Sequence, residues 1–109
     1  MIKLIAIVHR KPGLSDQQFY SYWKDTHGPL VARILPGVRR YVQNHFVRVP
    51  GVEQQGDGIL ELWFDNMDAL QRYLDWRDSD DAQVLTQDIE QFVDSSKTLR
   101  FIAVEHAIL

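Results

Sequence analysis

Residues 3–9, Lys3-Leu4-Ile5-Ala6-Ile7-Val8-His9, form a run of aliphatic and β-branched side chains closed by the turn Lys11-Pro12-Gly13. That composition and punctuation predict a β-strand. On an extended chain Leu4, Ala6 and Val8 share one face, and Ile5 and Ile7 the other. Both faces are apolar, whereas a strand solvated on one side alternates apolar with polar residues. The strand therefore needs cover on two sides.

A helix start follows. Ser15 is placed to cap and Gln18 sits three residues on, which is a capping box, with Leu14 and Phe19 as a hydrophobic staple across it. Phe19, Tyr22, Trp23, Thr26, His27, Leu30, Val31 and Ile34 recur at helical spacing. Pro29 has no N–H and its ring opposes the carbonyl four residues back, so a kink or break is expected at Gly28-Pro29, with a second helical piece over 30–35. Residues 38–49 read as a long strand, 50–58 as a turn-rich loop and 59–64 (ILELWF) as a third strand. Asp65 or Asn66 caps a helix to about Trp76, with Met67, Leu70, Tyr73 and Leu74 on its apolar side. Residues 79–81 open another helical stretch with Ala82, Leu85, Ile89 and Phe92 on one stripe, and 98–108 form a closing strand. Strand, helix, two strands, helix, strand is the βαββαβ order of an α+β, ferredoxin-like domain over residues 1–109: a four-stranded antiparallel sheet with helices on one face. The uncovered apolar face is expected to meet a second copy across a two-fold axis, forming a homodimer with a barrel-like pair of sheets.

Composition bounds the function. The 109 residues, 45% hydrophobic and 25% charged, suit one globular domain. Twelve Lys and Arg against fifteen Asp and Glu give a net charge of -3. Nucleic-acid binding is not expected on that balance, with Arg33, Arg39 and Arg40 the only tight basic group. The absence of cysteine excludes disulfides, thiolate metal sites and a cysteine nucleophile, and points to a cytoplasmic protein. No apolar run approaches the ~20 residues of a membrane span. No Walker, Rossmann or Gly-x-Ser-x-Gly pattern occurs. No pair among the four histidines has HxxxH or HxH spacing, and nothing specific supports His27 as a haem ligand, so neither metal nor cofactor is expected.

His27 is the most informative position. It shares a helix face with Trp23 and Leu30, beside the interruption at Gly28-Pro29, with Phe19, Tyr22 and Trp23 as bulky neighbours. An imidazole there can exchange a proton with a bound molecule, or simply finish a helix end by bonding a carbonyl. Tyr41 can bond a substrate oxygen or pack as a strand aromatic. Tyr41, Gln43 and His45 share one face of the second strand, and Arg40, Val42, Asn44, Phe46 and Arg48 the other; the sequence does not decide which lies under the helices. Glu61 is the only carboxylate within an apolar strand. It suits a cross-strand ion pair at the rim, or a buried site with a basic partner.

The pattern Phe19-x-x-Tyr22-Trp23-x-x-x-His27-Gly28-Pro29-Leu30, followed by Gly37-x-x-x-Tyr41-x-x-x-His45, resembles the EthD family. The resemblance implies the dimeric α+β barrel superfamily, whose members include quinone-forming monooxygenases, muconolactone-type isomerases, polyketide dehydratases and haem-degrading enzymes. EthD proteins are linked to breakdown of ethyl tert-butyl ether as accessory components. By motif position, His27 and Tyr41 correspond to the catalytic histidine and tyrosine of the methylmuconolactone isomerase branch. The resulting expectation is cofactor-independent acid/base chemistry on a cyclic or aromatic metabolite. His27 and Tyr41 would be catalytic, and Phe19, Tyr22, Trp23, His45 and Trp63 would contact substrate. Two rivals remain: a non-catalytic binding or accessory protein, and an RNA-recognition module of the same element order, which the acidic third strand disfavours.

Overall fold

The computed structural model describes residues 1–109. The chain runs β1 (Ile2–Val8), α1 (Asp16–Tyr22), a wide π turn (Trp23–His27), α2 (Gly28–Ile34), β2 (Arg40–His45), β3 (Gly58–Phe64), α3 (Met67–Arg77), α4 (Gln83–Ile89) and β4 (Leu99–Ala103). Short 3-10 turns at Asp80–Ala82 and Ser95–Lys97 lead into α4 and β4. The strands form one antiparallel sheet in the order β2-β3-β1-β4. This is the expected ferredoxin-like arrangement.

The register separates the faces. Leu4, Ala6 and Val8 of β1 are buried under the helices. Ile5 and Ile7 pair across to Glu61 and Ile59 on one side and to Phe101 and Leu99 on the other, making up the open face. Leu99 and Phe101 are exposed. On β2, Tyr41, Gln43 and His45 pair with Leu62, Leu60 and Gly58, which puts them on the helix side. Glu61 bonds Lys3 at 2.9 Å on the open face, as a cross-strand ion pair.

The helix start is as read. The Gln18 N–H donates to Ser15 Oγ at 3.1 Å, and the Ser15 N–H donates to Gln18 Oε1 at 2.8 Å; such a cap contributes about 1 kcal/mol. Leu14 packs on the cluster that contains Phe19. The expected break at Gly28-Pro29 does not occur, because the helix adjusts one turn earlier. Between Trp23 and His27 it widens to a π turn, and the Gly28 N–H donates to Trp23 O. Relaxing the ladder in this way keeps the chain helical through a proline that cannot donate.

Two strands are shorter than expected. The predicted strand 38–49 holds its ladder only over Arg40–His45, because its one neighbour, β3, ends at Gly58 opposite His45. The predicted strand 98–108 stops at Ala103, opposite Lys3 near the start of β1. Met67, expected on the apolar side of α3, is exposed, while Leu70 and Tyr73 are buried. Asn66 is the cap, accepting from the Ala69 N–H at 2.9 Å.

The core falls into two clusters. One joins Leu4, Ala6, Leu62 and Phe64 to Ala69, Leu70 and Tyr73 of α3. The other joins Val8, Phe19, Trp23, Phe92 and Val93. Between them lies a cavity.

Candidate active site

The cavity has a volume of about 230 Å³ and lies between the sheet and the helices, with walls drawn from both core clusters. Thirteen of its 20 lining residues are hydrophobic, so the few polar groups on its wall determine what it can do. The ionisable ones are His27, Tyr41, Tyr73, Arg77, Glu90 and Arg100. Of the lining residues only Glu90, Ser95 and Arg100 are exposed, which marks the end where the cavity meets solvent.

His27 ends the π turn and is 5% exposed. Its Nδ1 bonds Asp88 Oδ2 at 2.7 Å. The other Asp88 oxygen accepts from the Tyr22 hydroxyl at 2.5 Å. An ionised carboxylate can only accept, so Asp88 fixes the proton on Nδ1 and leaves the Nε2 lone pair free. No protein group bonds Nε2, and the imidazole lines the cavity. Burial holds the His27 pKa below its ordinary value; Asp88 pushes back, and Arg77 adds to the lowering. The ring is thus neutral near pH 7, with its base nitrogen available. Tyr22 pays the opposite consequence of the same carboxylate: Asp88, helped by burial, pushes its pKa up to about 12.

Tyr41 also lines the cavity. Its hydroxyl oxygen accepts from Gln43 Nε2 at 2.6 Å, so its own proton is free to donate. Burial raises its pKa, which keeps that proton in place. Gln43 Nε2 also donates to Trp23 O at 2.8 Å, a carbonyl that already accepts from Gly28 at the π turn. Gln43 Oε1 accepts from His45 Nε2 at 2.8 Å. The His45 ring stacks on Trp23 with centroids 4.7 Å apart, and on Tyr20 at 4.9 Å.

Two glycines allow this packing. A Cβ on Gly58 would lie 2.4 Å from Trp23 Cζ3, so the indole rests directly on the β3 backbone. A Cβ on Gly28 would lie 3.3 Å from both Gln43 Nε2 and Trp23 O.

Of the residues expected at the site, His27, Tyr41 and Trp23 line the cavity. Phe19 does not; it is fully buried behind Trp23 and Phe92. Tyr22 and His45 are likewise off the wall and act through Asp88 and Gln43. Trp63 corrects the expectation most clearly. It lies on the open face of the sheet, between Lys3 and Arg40, whose charges sit 4.9 and 4.7 Å from its ring centroid. Strand alternation decides this: Trp63 pairs with Lys3, whose side chain points away from the helices. Asp88, Arg77 and Arg100 were not anticipated. Asp88 had a signal, as a carboxylate three residues after Leu85 and four before Phe92 on an apolar stripe. No three His, Asp or Glu side chains converge as metal ligands, and no helix is long and apolar enough to cross a membrane.

A four-stranded antiparallel sheet in the order β2-β3-β1-β4 with helices on one face defines a ferredoxin-like α+β protein. The EthD domain matches residues 11–96, and the chain belongs to the EthD family. Among solved structures it is similar to an ethyl tert-butyl ether D (EthD) family protein from Bacillus halodurans, at 25% identity and TM-score 0.72, covering 97% of this chain and 99% of that one. It shares its fold with a DABB family protein from Mesorhizobium loti (17% identity, TM-score 0.63, 97% of each chain). The same holds for a dimeric ferredoxin-like protein of unknown function from Thermobifida fusca (15%, TM-score 0.65, 95% of this chain and 90% of that one). No curated protein matches the chain.

Proposed function

We propose that the chain is a cofactor-independent enzyme that moves a proton on a cyclic or aromatic metabolite held in this cavity, in a reaction of the isomerase, dehydratase or monooxygenase type. One observation carries the reading: an imidazole fixed by a carboxylate at 2.7 Å, its second nitrogen unbonded, on the wall of an apolar cavity. His27 Nε2 takes a proton from substrate carbon or oxygen, and Asp88 stabilises the imidazolium that forms. The Tyr41 hydroxyl donates to the substrate oxygen on which negative charge develops. Positioned acid/base groups of this kind contribute roughly a hundred- to ten-thousand-fold in rate.

The test is exchange of substrate C–H protons with heavy water, followed by NMR over a panel of cyclic ketones, lactones and phenols. Compounds that exchange with the native chain should cease to do so with His27→Ala, whose folding is checked by circular dichroism. Unchanged exchange in that variant removes His27 from the chemistry. Compounds that bind without exchange in either form favour the binding or accessory reading.

The open face supports a second proposal, that two copies pair through it. Leu99 and Phe101 expose apolar surface there, beside half-buried Ile5 and Ile7, and related folds are described as dimeric. A monomer in light scattering at micromolar concentration would refute it.

A further inference from the structure

Apart from the site's own dyad, the cavity wall carries a feature that proton transfer does not explain. Arg77 comes from the last turn of α3 and Arg100 from β4, so two unrelated elements each bring a guanidinium to a largely apolar cavity. Neither makes an ion pair: Arg77 donates to Thr86 Oγ1 at 2.8 Å and lies beside the Tyr73 hydroxyl, and Arg100 bonds no protein group. Glu90 also lines the cavity but pairs with neither. A guanidinium holds five donors in a planar fork, so both retain unused donors. Half-buried Arg77 is costly to hold without an anion on an otherwise apolar wall, and exposed Arg100 stands unpaired at the mouth, where a ligand can supply the charge for both.

We propose that the molecule bound here carries a planar anionic group, a carboxylate, which Arg77 and Arg100 hold at the solvent end while the reacting carbon and oxygen reach His27 and Tyr41. This rests on the reading of the cavity as a substrate site and adds its charge. The fork geometry of Arg matches a carboxylate at two points, fixing orientation as well as affinity. Arg77 acts at both ends. Its charge opposes protonation of His27, which favours the neutral base. Burial raises the Tyr73 pKa, and Arg77 and Arg100, both near that phenol, oppose the rise. The substrate is then a small cyclic acid, with the acid group fixed at one end and a proton moved at the other.

Salicylate and its neutral isostere salicylamide are the probes, titrated by NMR against the native protein and the Arg100→Gln and Arg77→Lys variants. Salicylate should bind at least about tenfold tighter than salicylamide to the native protein, the range of one charge-assisted hydrogen bond. Arg100→Gln, at an exposed position, should cut that preference to about threefold or less and leave salicylamide affinity unchanged. Arg77→Lys should reduce it to a lesser degree, because the charge stays and the fork is lost. His27→Gln should keep the full preference, since the anion is held at the other end. Equal binding of the two probes, or a preference that survives Arg100→Gln, overturns the anion proposal and leaves the proton-transfer reading standing. Failure of both probes to perturb His27 or Tyr41 resonances overturns it together with the cavity reading.

Discussion

Replacing Asp88 by Asn makes the sharpest demand on the site. Asp88 accepts two hydrogen bonds, from His27 Nδ1–H at 2.7 Å and from Tyr22 O–H at 2.5 Å. Bonds to an ionised acceptor contribute about 1.5–3 kcal/mol each. An amide offers one acceptor and one donor, so only one of the two donors keeps a partner, and with a neutral acceptor. The expected loss is about 2 kcal/mol, which at roughly 4–8 °C per kcal/mol lowers Tm by about 8–16 °C. The titrations are more telling. With the carboxylate charge gone, burial and Arg77 act on His27 unopposed, so its pKa falls further below about 6.5. Tyr22, held at about 12 mainly by Asp88, falls back toward its ordinary value. Both groups therefore move down together, whereas loosening of the fold would bring His27 up toward 6.5 and Tyr22 down. The amide also invites the tautomer with its proton on Nε2, which removes the base from the cavity. NMR titration with labelled histidine and tyrosine reads both groups at once. A His27 pKa that is unchanged or raised, with Tyr22 still near 12, would refute the assignment of Asp88 as the partner of both.

Gly58→Ala should destabilise by about 1–3 kcal/mol, since the new methyl meets Trp23 at 2.4 Å; a denaturant midpoint equal to that of the native chain would contradict the close approach of indole and strand. Gln43→Met removes the bond that lowers the Tyr41 pKa, so Tyr41 should titrate higher, with a stability loss of about 1–3 kcal/mol from the Tyr41 hydroxyl oxygen and the His45 Nε2–H left unpaired, while Trp23 O keeps its bond from Gly28; phenolate absorbance across the alkaline range checks it. Because His27 is held below its ordinary value, the unfolded chain binds its proton first as pH falls. Its contribution is complete above about pH 6.5 and is lost as pH drops through the folded value, so urea midpoints should fall between about pH 7.5 and about pH 5.5, and fall less in His27→Gln. Phe101→Glu on the open face should leave the monomer fold intact and shift any dimer seen by light scattering toward monomer.

What the sequence made legible follows from periodicity. Leu4, Ala6 and Val8 against Ile5 and Ile7 demanded cover on both faces, and the Ser15–Gln18 box located a helix start to the residue. His27 and Tyr41 stood out by spacing and resemblance. Trp63 was misplaced because a strand's two faces are equivalent until the register with its neighbours is known, and only pairing with Lys3 decides it. The π turn was invisible because proline punctuation says that the ladder must yield near Pro29 without saying where. The stripe of Leu85, Asp88 and Phe92 says that the carboxylate faces inward, but not that it meets His27, 61 residues away in sequence; Arg77 likewise lines the cavity through packing between elements that short-range pattern does not relate.

The widened turn at Trp23–His27 makes the helix sensitive to length rather than to composition. A chain one residue shorter between Trp23 and His27 would turn the five-residue bond from Gly28 to Trp23 into an ordinary four-residue one, closing the ladder with the helices on either side nearly in place. The Trp23 carbonyl would keep its bond from Gly28, and only the residues inside the turn, the segment that carries the imidazole, would be re-aimed around the axis. Relatives that differ here by a single residue would thus share the scaffold while presenting a differently aimed group to the cavity, a change of kind that no point substitution at these positions reproduces.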